Sequence, residues 1–137
     1  RFFAGSKRKV FEYRGWRICP HVCYDLRFPA WCRNRYDYDL LLFVANWPEP
    51  RTPAWTALLK ARAIENQAYV IGVNRSGKDP RGFEYAGGSA VYDPLGNTDL
   101  ELGAVECSKK TTIELQQVMD IRKQLPFLQD ADKFKLE

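Results

Sequence analysis

Two nearly continuous apolar runs, residues 38–46 (YDLLLFVAN) and 67–73 (QAYVIGV), constrain the fold of this chain more than any other feature. A strand that is apolar on both faces must be covered on both faces, and that is the habit of a parallel sheet with helices packed on it. Between the runs, Pro48, Pro50 and Pro53 stiffen a loop. Thr52 is placed to cap, and Pro53 to occupy the first position of, a helix predicted over residues 53–66. Trp55, Leu58, Leu59 and Ile64 give that helix an apolar face to lay on the sheet. Strand, helix and strand in this order make an α/β unit.

Other elements extend the pattern on both sides. Residues 9–13 (KVFEY) alternate, Arg14 and Gly15 make a turn, and residues 16–22 (WRICPHV) are extended again, so a hairpin leads into Cys23. Pro20 sits badly in that second strand, because it brings no ladder donor. A short helix over residues 30–35 follows Pro29. Downstream, residues 76–88 read as a Gly-rich rim loop and residues 89–92 as a short strand. A turn at 93–97, a strand at 111–115 and a helix over 116–124, ending before Pro126, complete the prediction, with a charged tail beyond. Residues 1–9 carry neither a cap nor a clear strand pattern, as if the chain entered in the middle of something. There are no internal repeats and no linker.

With 45% hydrophobic and 28% charged residues, the chain can build a core and does not belong to the disordered classes. Its longest apolar run, residues 40–45, is far short of the ~20 residues that span a bilayer, and the start shows no signal-peptide pattern. The formal charge of +4 is mild and dispersed, so nucleic acid is not implied. Cysteines at 19, 23, 32 and 107 lie in long segments rather than turn-rich loops, which suits free thiols in a reducing compartment. The expectation is a soluble, cytoplasmic protein.

In α/β units ligands gather at the strands' C-terminal ends, here Cys23, Asn46 with Trp47, and Asn74 with Arg75. Cys23 opens the turn CYDLRFP, where following amides could converge on one point. It reads either as a buried structural thiol or as a nucleophile beside an oxyanion site. Asp25 and Arg27 at the same turn either pair with each other or, in the case of Arg27, offer a planar fork to a carboxylate. His21 shares a strand face with Cys23 at about 7 Å, too far for a direct hydrogen bond. Cys19, His21 and Cys23 alternate on one face, yet no Cys-x-x-Cys pair supports a metal site. The segment 77–88 lacks the strand-to-helix setting of a phosphate loop. Glu65 reads as an ion-pair partner of Arg62 three residues earlier, or as a proton carrier near Cys23. Asn46 and Trp47 either line a pocket for a small polar molecule or merely pack the loop.

Residues 15–29 (GWRICPHVCYDLRFP) resemble the nucleophile region of the nitrilase, or carbon-nitrogen hydrolase, superfamily. Residues 40–47, 61–70 (ARAIENQAYV), Asn74 with Arg75, Gly88 with Ser89, and Pro94, Leu95 and Gly96 follow that family's pattern in the same order. Residues 130–132 resemble its C-terminus, and within the superfamily the chain looks most similar to the omega-amidases, which hydrolyse 2-oxoglutaramate and 2-oxosuccinamate. The resemblance implies a four-layer αββα sandwich, usually paired with a second copy as a homodimer, working without metal or cofactor. It implies a Glu, Lys and Cys set in which Cys23 attacks the amide carbon and the Tyr24 amide, with a lysine, holds the oxyanion. Arg27 would meet the substrate carboxylate, and Asn46 and Trp47 would border the pocket.

The family carries its glutamate and lysine well upstream of the cysteine, and Lys7 and Lys9 do not match those motifs. Residues 1–137 are therefore expected to be the C-terminal portion of a single carbon-nitrogen hydrolase domain whose N-terminal half is absent, inactive alone and exposing strands that it should share. The alternatives are a non-catalytic carboxylate-binding or regulatory module, or a relative acting on an N-carbamoyl amide or a nitrile.

Overall fold

The computed structural model describes residue 5 and residues 7–133, so expectations for residues 1–4 and 6 and for the last four residues lie outside the described residues. Strand β1 (Phe11–Tyr13) turns back through Arg14 and Gly15 into β2 (Trp16–Val22). Both turn residues have positive φ, 49° and 82°, the geometry that matches a tight hairpin to the strand twist. Helix α1 (Pro29–Cys32) is a four-residue piece, shorter than the span predicted over 30–35. Strand β3 (Leu40–Ala45) and β4 (Tyr69–Asn74) are the two apolar runs, joined by α2 (Thr52–Asn66). Gln67 closes α2 in the left-handed region, its N–H reaching back to Ala63 and Ile64.

The segment predicted as a loop over 76–88 is instead a two-stranded ribbon, β5 (Ser76–Lys78) and β6 (Glu84–Ala86). Asp79 organises its tip by accepting the amides of Arg81 and Phe83. After it come β7 (Ala90–Tyr92), β8 (Thr98–Glu101) and α3 (Leu115–Gln124). The strand expected at 111–115 is absent and β8 takes its place in the sheet. Residues 98–101 (TDLE) are polar, and at a sheet edge backbone pairing alone suffices to make a strand. Residues 111–114 have a strand-like composition but no ladder, and Ile113 packs against the second core cluster.

The six-stranded sheet runs β1-β2-β3-β4-β7-β8, with β2, β3 and β4 parallel and the remaining pairs antiparallel. The fold is therefore α/β, as expected, with a parallel centre. Pro20 is accommodated because β1 covers β2 only as far as Ile18, leaving the outer edge of β2 open at the proline.

Helix α2 lies on one face, burying Trp55, Leu59 and Ala63 against Leu41, Phe43 and Val70 in the main core. Ile64, predicted to belong to that apolar face, is instead 48% exposed and reaches toward Gly96. Nor does the Thr52 side chain cap α2, because its hydroxyl donates to the Glu49 carbonyl at 2.8 Å. On the opposite face, Val118 of α3 joins Leu40, Tyr69 and Val91 in a second cluster near the start of the parallel strands. Toward their other end this face is open, with Val22 63%, Val44 47% and Val73 47% exposed.

Candidate active site

At the end of β2 the backbone changes hand. Val22 is extended, and Cys23 next to it has φ 44°, a left-handed value that a residue with a β-carbon adopts only under constraint. From Cys23 the chain runs through one 3₁₀ turn, Cys23–Arg27. Several contacts impose it. The Asp25 carboxylate accepts the Val22 N–H at 2.9 Å, and the Asp25 carbonyl accepts the Phe28 N–H at 3.0 Å and the Cys32 thiol at 3.6 Å. The Leu26 side chain is fully buried, and its carbonyl accepts Arg62 Nη2 at 2.7 Å.

The result presents Cys23, half-buried, at the C-terminal edge of the sheet, with the Tyr24 N–H in the first turn and so without an acceptor inside the helix. The Tyr24 ring is 61% exposed and stands edge-on to Phe28, so only its backbone is placed to act on a group held by the thiol. Asp25 and Arg27 do not pair as one reading had it. Asp25 folds back on Val22, and the Arg27 guanidinium lies 4.8 Å over the Trp47 ring.

Trp47 is held on three sides. Its ring N–H donates to the Arg51 carbonyl at 2.7 Å, its backbone N–H donates to Asn74 Oδ1 at 2.7 Å, and its ring packs 5.5 Å from that of Trp55. Asn74 returns donors to the Trp47 and Gly87 carbonyls at 3.1 and 2.7 Å, tying the ends of β3 and β4 to the strand that follows the ribbon. Asn46 lies exposed beside Trp47. The structure thus brings together Cys23, Tyr24, Arg27, Asn46 and Trp47 at the ends of β2 and β3.

The ribbon adds a residue that the sequence did not single out. The Tyr85 ring packs under Arg75 at 5.0 Å, its hydroxyl donates to Asp79 Oδ2 at 3.2 Å, and it lies within electrostatic range of Cys23. Arg62 was also missed as a site residue. Its pair with Glu65, 2.8 Å, is present, but the arginine itself is 3% exposed and holds the Cys23 turn from behind. A signal for this existed, since 55, 59, 62 and 66 fall on one helical stripe and all four are buried.

His21 is buried, with its Nδ1 3.8 Å from Asp25 Oδ2 of the Cys23 turn. It stacks on Phe43 at 5.3 Å, and its Nε2 lies 3.5 Å from the Cys19 sulfur rather than near Cys23. Burial pushes its pKa below the ordinary histidine value, partly opposed by Asp25, so at neutral pH it is an uncharged core residue. Burial raises the Cys19 and Cys32 thiols to about 11, leaving both protonated and unreactive. Among the described residues no group of three or more His, Cys, Asp or Glu side chains gathers to hold a metal, and no helix is long and apolar enough to cross a membrane.

A constrained cysteine at a parallel-strand end, with a first-turn amide beside it, is an arrangement that can support nucleophilic attack on a carbonyl-type carbon. Residues 1–121 match the carbon-nitrogen hydrolase family model, and the chain belongs to that family. It is 51% identical over 134 residues to the omega-amidase YafV of Escherichia coli strain K12, covering 97% of this chain and 52% of that protein. It is 39% identical over 132 residues to the 2-oxoglutaramate amidase of Bacillus subtilis, covering 95% of this chain and 51% of that protein. A CN-hydrolase superfamily protein of Xanthomonas campestris, whose crystal structure carries an arsenic adduct in the active site, superposes with a TM-score of 0.97 at 48% identity, over 100% of this chain and 55% of that one. The chain spans about half the length of the curated relatives it matches.

Proposed function

We propose that Cys23 is the nucleophile of an amidase that hydrolyses a small carboxylate-bearing amide, 2-oxoglutaramate or 2-oxosuccinamate, to the acid and ammonia. The observation that carries this reading is the left-handed Cys23 at a strand end, where contacts from Arg62 and Cys32 to the following carbonyls maintain the turn. The Cys23 Sγ attacks the amide carbon, and the tetrahedral oxyanion is held by the Tyr24 N–H together with a lysine. A glutamate takes the thiol proton and returns it to the departing ammonia, and the same glutamate then activates the water that cleaves the thioester. Arg27, placed over the Trp47 ring, receives the substrate carboxylate, with Asn46 on the rim.

That glutamate and lysine are proposed to come from a segment of the same domain outside these 137 residues, which would form the C-terminal portion of the catalytic unit. The unit is proposed to act as a cytoplasmic homodimer without cofactor. The relatives named for omega-amidase and 2-oxoglutaramate amidase activity support the substrate class. The amidase of Nesterenkonia sp. AN1, 31% identical at a TM-score of 0.64, supports a nucleophilic cysteine, because a variant of it carries the acetamide moiety of fluoroacetamide covalently at the active-site cysteine.

The test is ammonia release from 2-oxoglutaramate by the intact protein and by its Cys23→Ala variant. Release by the wild type that falls to background in the variant is the expected result, and release that survives the substitution overturns the reading. Turnover confined to an N-carbamoyl amide or a nitrile would move the substrate class, and carboxylate binding without turnover would make this a binding module.

A further inference from the structure

We propose that Arg62 is a positioning residue for the anion anchor. From inside the core it fixes the peptide between Leu26 and Arg27, and so sets where Arg27 presents its guanidinium. This inference rests on the reading of Arg27 as the residue that meets a substrate carboxylate.

Arg62 lies on the buried stripe of α2 with Trp55, Leu59 and Asn66. A guanidinium there is expensive unless its donors are satisfied, and an apolar side chain would fill the space without that cost. Satisfaction is incomplete, for Nη1 donates to Glu65 Oε1 at 2.8 Å and Nη2 to the Leu26 carbonyl at 2.7 Å, while Nε has no partner. What the buried charge holds is a backbone carbonyl of the nucleophile turn. The carbonyl before it, of Asp25, is held in the same manner by the Cys32 thiol at 3.6 Å.

Peptide planarity carries the consequence outward. With the Leu26 carbonyl drawn into the core, the Arg27 N–H must lie on the other side of the same plane, and the Arg27 side chain leaves from a fixed root. Its head is fixed as well, stacked 4.8 Å over Trp47, whose ring N–H is itself bound to the Arg51 carbonyl. An arginine clamped at root and head has little rotamer freedom left to lose when an anion arrives, which is how preorganisation raises affinity. Glu65, 41% exposed on its side chain, balances the Arg62 charge from the outer side of α2.

Alkylation of Cys23 tests this without requiring turnover. Sγ displaces iodide from either neutral iodoacetamide or anionic iodoacetate, its proton passing to buffer. Peptide mass spectrometry reads Cys23, with exposed Cys107 of the same molecule as the reference for intrinsic reagent reactivity. In the intact protein Cys23 is expected to favour iodoacetate over iodoacetamide by about tenfold relative to Cys107, the lower range of local charge focusing. Arg62→Met is expected to abolish most of that preference while the iodoacetamide rate changes less than about twofold, and Arg62→Lys, which keeps the charge but not the fork, to restore part of it.

An unchanged preference in Arg62→Met overturns the proposal. So does an equal fall of both rates, which would place the effect on the thiol or the fold. If Arg62→Met does not fold, Arg62→Lys alone decides, with full wild-type preference counting against the proposal and a partial loss for it. Arg27→Met separates the premise, since a wild-type preference that is absent or survives that substitution removes Arg27 as the anchor before Arg62 is considered.

Discussion

Cys23 holds a conformation that its own β-carbon opposes. A left-handed φ costs such a residue about 1 kcal/mol, and here it follows directly on extended Val22. The strain is maintained by the Asp25 carboxylate on the Val22 N–H, the Cys32 thiol and Arg62 on successive carbonyls, and Leu26 in the core. Glycine pays no such steric cost. Cys23→Gly is therefore expected to be more stable than Cys23→Ala by about 1 kcal/mol in urea unfolding, both variants lacking the thiol. Equal stabilities would mean that the turn is relaxed. At this scale much of the site was legible, because the ends of parallel strands must meet, and Cys23, Arg27 and Trp47 sit at two such ends. Arg62 was obscured by its spacing from Glu65, which matches an ordinary surface pair. Tyr85 was hidden because its position depends on a ribbon that a Gly-rich segment does not announce.

The contact between α2 and β4 is set by the absence of a side chain. A β-carbon on Gly72 would lie 2.4 Å from Leu59 Cδ1 and 2.8 Å from Trp55 Cζ2, both from fully buried residues of the main core. Neither ring nor branch has room to retreat, so Gly72→Ala is expected to cost 1–3 kcal/mol, roughly, and to lower the urea midpoint with an unchanged slope. A neutral result would show that α2 floats on the sheet. This closeness also bears on the site, since the ring N–H of Trp55 donates to the Gly88 carbonyl at 2.7 Å and its ring supports Trp47. The strand-helix-strand core was legible because both of its signals are strong, with unbroken apolar runs on either side of a proline-started helix. Strand β8 was not, for only Leu100 of its four residues is even half-buried, and an edge strand needs no hydrophobic period. Residues 111–114 show the converse, where strand-forming residues join no ladder and Leu115 already opens α3.

At the scale of the whole molecule, a cluster of paired charges around buried Asp39 ties elements together at the start of the parallel strands. Asp39 accepts Arg17 Nε at 2.9 Å and Arg122 Nη1 at 2.9 Å, while Arg122 also donates to the Gln67 and Tyr38 carbonyls at 3.0 and 2.8 Å. One carboxylate thereby clips α3 to the starts of β2, β3 and β4. Burial alone would raise the Asp39 pKa, but hydrogen bonds and charge from Arg17, with charge from Arg122, overcome it and hold the carboxyl below its ordinary value. A carboxyl depressed in the folded state contributes stability that is complete above its unfolded pKa of about 3.9 and is lost as pH falls through the lower folded value. His21 acts earlier on the same descent. Its folded pKa lies below the unfolded value of about 6.5, chiefly through burial, so the unfolded chain takes up the proton first and stability begins to fall below that pH. Urea midpoints for the wild type should be level near neutrality, decline below about pH 6.5 and steepen below about pH 4. Asp39→Asn should cost about 3 kcal/mol on the level stretch, as expected for breaking a buried pair, with its deficit closing as the wild-type carboxyl is protonated. A deficit that stays constant down to acid pH would show that the Asp39 charge does not hold α3 in place.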